Sequence, residues 1–137
     1  MALPGGLDDF EGRWRIQRRI EDRLGPDARF EGVGIFTRDA EGLRYNETGQ
    51  LHAAGQSFSA TRRYSWRMAD TQIAVYFDDG RLFHSFELTG ASRAGHDCAP
   101  DRYDVTYAFE NWPAWRSVWE VRGPRKDYRM VSVFARE

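Results

Sequence analysis

Lysine is nearly missing from this sequence: Lys126 stands alone. Cysteine is as scarce, with Cys98 the single example, so no disulfide forms within the chain and its thiol usage fits a reducing, cytoplasmic setting. Apolar runs are short, and none approaches the ~20 residues of a membrane-spanning helix. Met1–Asp9 has neither the basic nor the apolar segment of a secretory leader. A charge excess is missing too: 20 basic residues face 21 acidic ones, for a net charge of −1. That balance argues against nucleic acid and anionic membranes as partners, which call for a basic surface. No segment sustains an apolar spacing of three and four, so helix is limited to a short turn near Leu7–Phe10. Phosphate-cradling loops are also wanting. Gly32-Val33-Gly34 runs on into Ile35 and Phe36 within a strand, where it marks a bend or a tight approach to Trp14, and there is no G-x-S-x-G elbow.

Aromatic residues are abundant at 15%, with 9 Phe, 6 Tyr and 5 Trp, a composition that favours strands. With 41% hydrophobic residues among 137, the chain has enough apolar surface for one core and is expected to form a single domain, residues 1–137. Its basic residues are almost all arginine, whose planar fork suits buried carboxylates or an anionic ligand.

Periodicity is two nearly throughout. Trp14, Ile16, Arg18 and Ile20 share one face of the first strand, and Leu43, Tyr45, Glu47 and Leu51 share one face of the third. Ala53–Gln56 reads as a looser stretch before a fourth strand from Ala60. Asp78-Asp79-Gly80 is a hairpin signal, because the Asp-Gly pair tolerates positive φ. It leads into a strand with Leu82, His84, Phe86 and Leu88 on one face. Thr89–Pro100 reads as an irregular loop. The resulting meander of about nine short strands closes most economically as an antiparallel up-and-down barrel, an all-β fold without exposed edges.

Gly12-Arg13-Trp14 resembles the G-x-W signature of the calycin barrels, the group of the lipocalins and fatty-acid-binding proteins. The resemblance implies a tryptophan across the closed end with a basic residue of the last strand, here Arg136, packed over it. Two further segments, His96-Asp97-Cys98-Ala99-Pro100-Asp101-Arg102-Tyr103 and Gly123-Pro124-Arg125-Lys126-Asp127-Tyr128, resemble the H-x-C-x-x-D-x-Y and G-P-x-K-D-Y hallmarks of a bacterial domain family of unknown function. Tyr45–Gly49 and Phe83-His84 match the same family. This resemblance implies a calycin-like barrel and no known reaction, substrate or cofactor.

In such a barrel Arg18, Glu47, Arg62, His84, Tyr103 and Ser132 fall on inward faces among Trp14, Tyr45, Trp66, Phe86, Tyr107, Trp119 and Phe134. Interior charges must pair or meet a ligand. Internal ion pairs such as Arg18 with Glu47 are one reading. The other is a mixed cavity in which Arg18 and Arg62 hold an anionic group, Tyr45 and Tyr103 donate hydrogen bonds, and Trp66 and Trp119 form walls. Glu47, His84, His96 and Asp101 complete the candidate ligand-binding set. His96, Cys98 and Asp101 lock their loop, gate a ligand or supply a nucleophile, and the first is the simplest reading, with Cys98 buried. No metal spacing is present. His84 is a candidate haem ligand, but a satisfied core histidine is the simpler reading, and no cofactor is expected.

The leading expectation is a cytoplasmic barrel that binds a small amphipathic or aromatic molecule without transforming it. The first alternative is an enzyme with His84 or His96 as acid–base and Asp101 or Glu47 as orienter. The second is a homodimeric interaction module using the Trp112–Trp115 rim.

Overall fold

The alternation of apolar and polar side chains builds ten antiparallel strands after a 3-10 turn at Leu7–Phe10. They are β1 (Gly12–Asp22), β2 (Ala28–Arg38), β3 (Leu43–Ala53), β4 (Gln56–Ala69), β5 (Gln72–Phe77), β6 (Leu82–Glu87), β7 (Ala91–Cys98), β8 (Asp101–Ala108), β9 (Trp115–Arg122) and β10 (Asp127–Arg136). The computed structural model describes residues 3–137, so Met1 and Ala2, the start of the stretch read as lacking a leader, lie outside the described residues. Consecutive strands pair as hairpins except β6 and β7, and β10 pairs with β1, Phe134 opposite Ile16 and Ser132 opposite Arg18. The sheet runs β6-β5-β4-β3-β2-β1-β10-β9-β8-β7. Its edges, β6 and β7, lie against each other without a ladder, so the up-and-down barrel is nearly closed.

Ten strands replace the nine expected because Ala91–Cys98, expected within an irregular loop, is β7. Its Ala, Ser and Gly residues carry no β-propensity signal, but the alternation is there. Ser92, Ala94 and His96 are half-buried while Arg93, Gly95 and Asp97 are exposed, and the ladder with β8, His96 opposite Tyr103, satisfies the backbone. Ala53–Gln56 is likewise tighter than expected. Ala54 (φ 52°) and Gly55 (φ 76°) form a two-residue turn with both φ values positive, the twist that a tight hairpin wants. This turn extends β4 back to Gln56. A third departure is a bulge where β5 meets β6. It turns Phe83 inward and leaves Leu82 51% exposed, reversing the face expected for Leu82.

One end of the barrel is plugged by aromatic rings. Phe10, fully buried at the end of the 3-10 turn, packs against Phe36, Trp66, Phe109, Trp112 and Trp115. Trp14 donates its indole N–H to the Phe10 carbonyl at 2.8 Å. The Arg136 guanidinium lies 4.0 Å from the Trp14 ring centroid and donates to the carbonyls of Asp9 and Glu11. Sequence and structure therefore agree on this pair, which ties the last strand to the N-terminal plug. Arg136→Met is expected to cost about 1 kcal/mol, the scale of an exposed cation–π contact plus hydrogen bonds, read as a lower urea midpoint.

Of the expected rim of Trp112 and Trp115, the first is half-buried and the second buried. Trp115 is buried and stacks on Phe134 at 3.8 Å, while Trp112 packs on Phe10 and Trp14. Gly34 also differs from expectation in what it accommodates. A Cβ there would lie 2.6 Å from the Tyr45 hydroxyl, so the glycine makes room for Tyr45 rather than for Trp14.

Candidate functional site

Above the aromatic plug, the barrel interior holds a cavity of about 40 Å³, room for on the order of three water molecules. Its polar wall comes from β1, β3 and β10. Arg18 donates from Nη1 and Nη2 to the two Glu47 carboxylate oxygens at 2.6 and 2.9 Å, and from Nε to Ser132 at 2.6 Å. The Tyr45 hydroxyl donates to Glu47 at 2.6 Å. Phe30 lies beneath the Arg18 guanidinium at 4.9 Å. Burial pushes the Glu47 carboxyl up, but the hydrogen bonds and charge of Arg18, with the Tyr45 hydroxyl, outweigh it and hold it below its usual range. Each partner thus neutralises the other inside the barrel, and Arg18 has each guanidinium nitrogen engaged. The internal ion pair is the arrangement adopted.

The opposite wall comes from β6, β8 and β9. His84 Nε2 and the Tyr107 hydroxyl are 2.8 Å apart. If Tyr107 donates, His84 Nδ1 carries the proton; the reverse assignment strands both Nδ1 and the phenol proton, so the first is preferred. Burial, assisted by the charge of nearby His96, pulls the His84 pKa down to about 3, so this imidazole is neutral at physiological pH. His84 Nδ1 and Trp115 Nε1 are both buried without a hydrogen-bond partner, and both residues are 3% exposed and line the cavity. Trp66, Phe83, Trp119 and Phe134 complete the apolar lining. Such a space has no room for a haem, and among the described residues no group of three or more His, Cys, Asp or Glu side chains is placed to hold a metal.

Arg62 closes the cavity toward the mouth. Its side chain is 35% exposed, and its contacts are long: Nε to Glu47 at 3.9 Å, Nη1 to the Tyr64 hydroxyl at 3.3 Å and Nη2 to Met130 sulfur at 3.9 Å. It lies 5.2 Å over the Trp119 ring.

The two hallmark segments meet at the mouth. Lys126 donates to the Tyr103 hydroxyl at 3.0 Å and pairs with Asp101 at 3.2 Å, joining the β9–β10 hairpin to β8. Gly123 completes this clasp, because a Cβ there would collide with the Asp101 carboxylate. His96 packs edge-on against Phe77 and Phe83 at 5.9 and 5.4 Å, bridging the unladdered β6–β7 seam. Cys98 is exposed rather than buried, and Asp101 is held by Lys126 rather than capping its loop.

Of the ten expected site residues, Arg18, Tyr45, Glu47, Arg62, Trp66, His84 and Trp119 line one cavity. His96, Asp101 and Tyr103 sit at the mouth and seam instead. The expected pairing of His84 or His96 with Asp101 or Glu47 is not assembled: His84 meets Tyr107, His96 meets aromatic rings, and Asp101 meets Lys126. The histidine that does meet a carboxylate is His52, outside the expected set, with Nε2 3.0 Å from Glu31 and Nδ1 2.7 Å from the Ser57 hydroxyl. Tyr107 and Trp115 were absent from the expected set. Tyr107 is among the aromatics expected inward, whereas Trp115 is expected at the rim, and a missing hydrogen-bond partner leaves no mark in a sequence.

A family model described as a family of unknown function, DUF6314, matches residues 10–136. No curated protein matches the chain. Among solved structures, the S-type phycobiliprotein lyase CPES from Guillardia theta superposes with a TM-score of 0.67 at 7% identity, over 96% of this chain and 90% of that one. A protein of unknown function from the DUF3598 family of Nostoc punctiforme superposes with a TM-score of 0.64 at 12% identity, over 99% of this chain and 50% of that one. At these identities the likeness is one of fold.

Proposed function

We infer that this chain, which belongs to the DUF6314 family of unknown function, is a barrel that binds a small amphipathic or aromatic molecule bearing an anionic group. The observation that carries this reading is a pair of buried ring nitrogens without partners, His84 Nδ1 and Trp115 Nε1, on two residues that line one cavity. Buried donors without acceptors cost about 1–3 kcal/mol each, a cost that an oxygen-bearing ligand relieves. A fold shared with a phycobiliprotein lyase supports reading the interior as a binding site. Trp66 and Trp119 serve as walls. Arg62 holds the anion, since Arg18 is already matched by Glu47 and Ser132.

The test is native mass spectrometry of gently purified protein, followed by denaturing extraction. A reproducible small molecule released on denaturation is the expected result. A clean chain mass, together with tryptophan emission unmoved by a panel of small aromatic acids, would overturn the reading.

A further inference from the structure

The interior cavity and an open groove of about 450 Å³ at the β5–β6 hairpin have two lining residues in common, Arg62 and Tyr64. These side chains therefore stand between a small, half-enclosed space and a large open one. The first of them is loosely held. Arg62 makes contacts of 3.3 to 3.9 Å, whereas Arg18 is fixed by bonds of 2.6 to 2.9 Å. The Arg62 side chain is also about a third exposed. On the groove side, Asp79 is already paired with Arg81 at 2.8 Å, leaving Asp78 and Arg63 as the other charges on that wall. Swinging Arg62 toward the groove joins the two spaces without breaking a short bond.

The two spaces differ in what they accept. Deep inside, the one cation, Arg18, is neutralised by Glu47, and the unpartnered nitrogens belong to two neutral rings, Trp115 Nε1 and His84 Nδ1, the latter an N–H donor in the tautomer that Tyr107 favours. A carboxylate placed there would be a buried charge without a counter-ion, at a cost of several kcal/mol. A carbonyl oxygen there accepts the hydrogen bonds that the donors lack. The other cation lining the cavity is Arg62, at the mouth, whose contact with Glu47 is a long 3.9 Å.

We propose that the ligand is an aromatic carbonyl compound with an acidic tail, bound carbonyl end first, its oxygen accepting from His84 Nδ1 and Trp115 Nε1 and its anion lying on a displaced Arg62. The ring then fills the space that Arg62 leaves beside Tyr64 and Trp119. This assignment rests on the binding reading above and adds the ligand's polarity and direction to it.

Three probes of matched shape test it by isothermal titration: 4-acetylbenzoate, 4-ethylbenzoate without the acceptor, and 4-methylacetophenone without the charge. The first is expected to bind at least about tenfold more tightly than either of the others, a difference of ~1.4 kcal/mol. Trp115→Phe is expected to erase the acetyl-over-ethyl preference and keep the preference for charge. Arg62→Met is expected to do the opposite. Should Trp115→Phe melt early by circular dichroism, His84→Gln takes its place, because the glutamine amide reaches the Nε2 position and leaves Nδ1 unreplaced. Equal binding of 4-ethylbenzoate would overturn the carbonyl-first direction, and equal binding of 4-methylacetophenone would overturn the part given to Arg62. Absence of binding by all three at millimolar concentration would overturn the proposed ligand class. Binding itself is judged separately, by the small molecule that native mass spectrometry does or does not release.

Discussion

Glu47→Leu is expected to destabilise the barrel by about 3–5 kcal/mol, the cost of stranding one member of a buried ion pair. Arg18 would keep its charge at 6% exposure and retain Ser132 as its remaining hydrogen-bond partner, and the Tyr45 hydroxyl would lose its acceptor. Arg62 is no substitute, being a second cation. Replacing both partners, Arg18→Met with Glu47→Leu, is expected to recover most of that loss, because apolar groups of similar volume neither demand a counter-charge nor leave a large void. Urea unfolding of the wild type, both single variants and the double variant closes the cycle. A Glu47→Leu loss under about 1 kcal/mol would place the pair in water rather than in the core.

Acid is expected to loosen the fold through His84 before it reaches the carboxylates. The folded-state pKa is near 3, against an ordinary histidine value of 6.5, so the unfolded chain binds a proton that the folded chain refuses. Stability contributed by the neutral imidazole is fully present above pH 6.5 and falls as the pH drops from there toward 3. Between pH 6.5 and 5 the loss is about 2 kcal/mol, at ~1.4 kcal/mol per pH unit for one proton. His84→Gln carries no titrating group and is expected to have a flat profile over that interval. Glu47, held below its usual range, adds a second loss below pH 4.5, which is why the measurement stops at about pH 5. A wild-type profile as flat as that of His84→Gln would mean that water reaches the imidazole.

The legible part of this molecule is the part written in side-chain alternation. Arg18, Glu47, Arg62 and His84 are expected inside because each sits two residues from an apolar neighbour on the same face; Arg18, Glu47 and His84 are buried there, and Arg62 lines the same cavity from its mouth. The Arg18–Glu47 pair follows from the cost of leaving either charge alone. Less legible are features that depend on partners remote in sequence. β7 is a strand because β8 offers it a ladder, not because Ala91–Cys98 favours one. Phe83 turns inward at a bulge that no residue type announces. The left-handed Ala54 concealed a tight hairpin, since alanine seldom takes that conformation. The candidate site was legible as a set of inward residues. Which of those residues remain unsatisfied, namely His84 Nδ1 and Trp115 Nε1, emerges once every other hydrogen bond is assigned.

The missing ladder between β6 and β7 has a consequence for how the barrel forms and breathes. Neighbouring strands elsewhere zip as local hairpins, but closure depends on β1 finding β10, with Arg18 and Ser132 114 positions apart. Pairing at that separation is the slow step that a high contact order imposes. Meanwhile β6 and β7, adjacent in sequence, are held across the seam by rings such as Phe83 and His96. Amide hydrogens along those two edges should therefore exchange with deuterium first, and those of β1 and β10 last. The two strands formed furthest apart in the chain become the barrel's strongest join, and two made side by side remain its hinge.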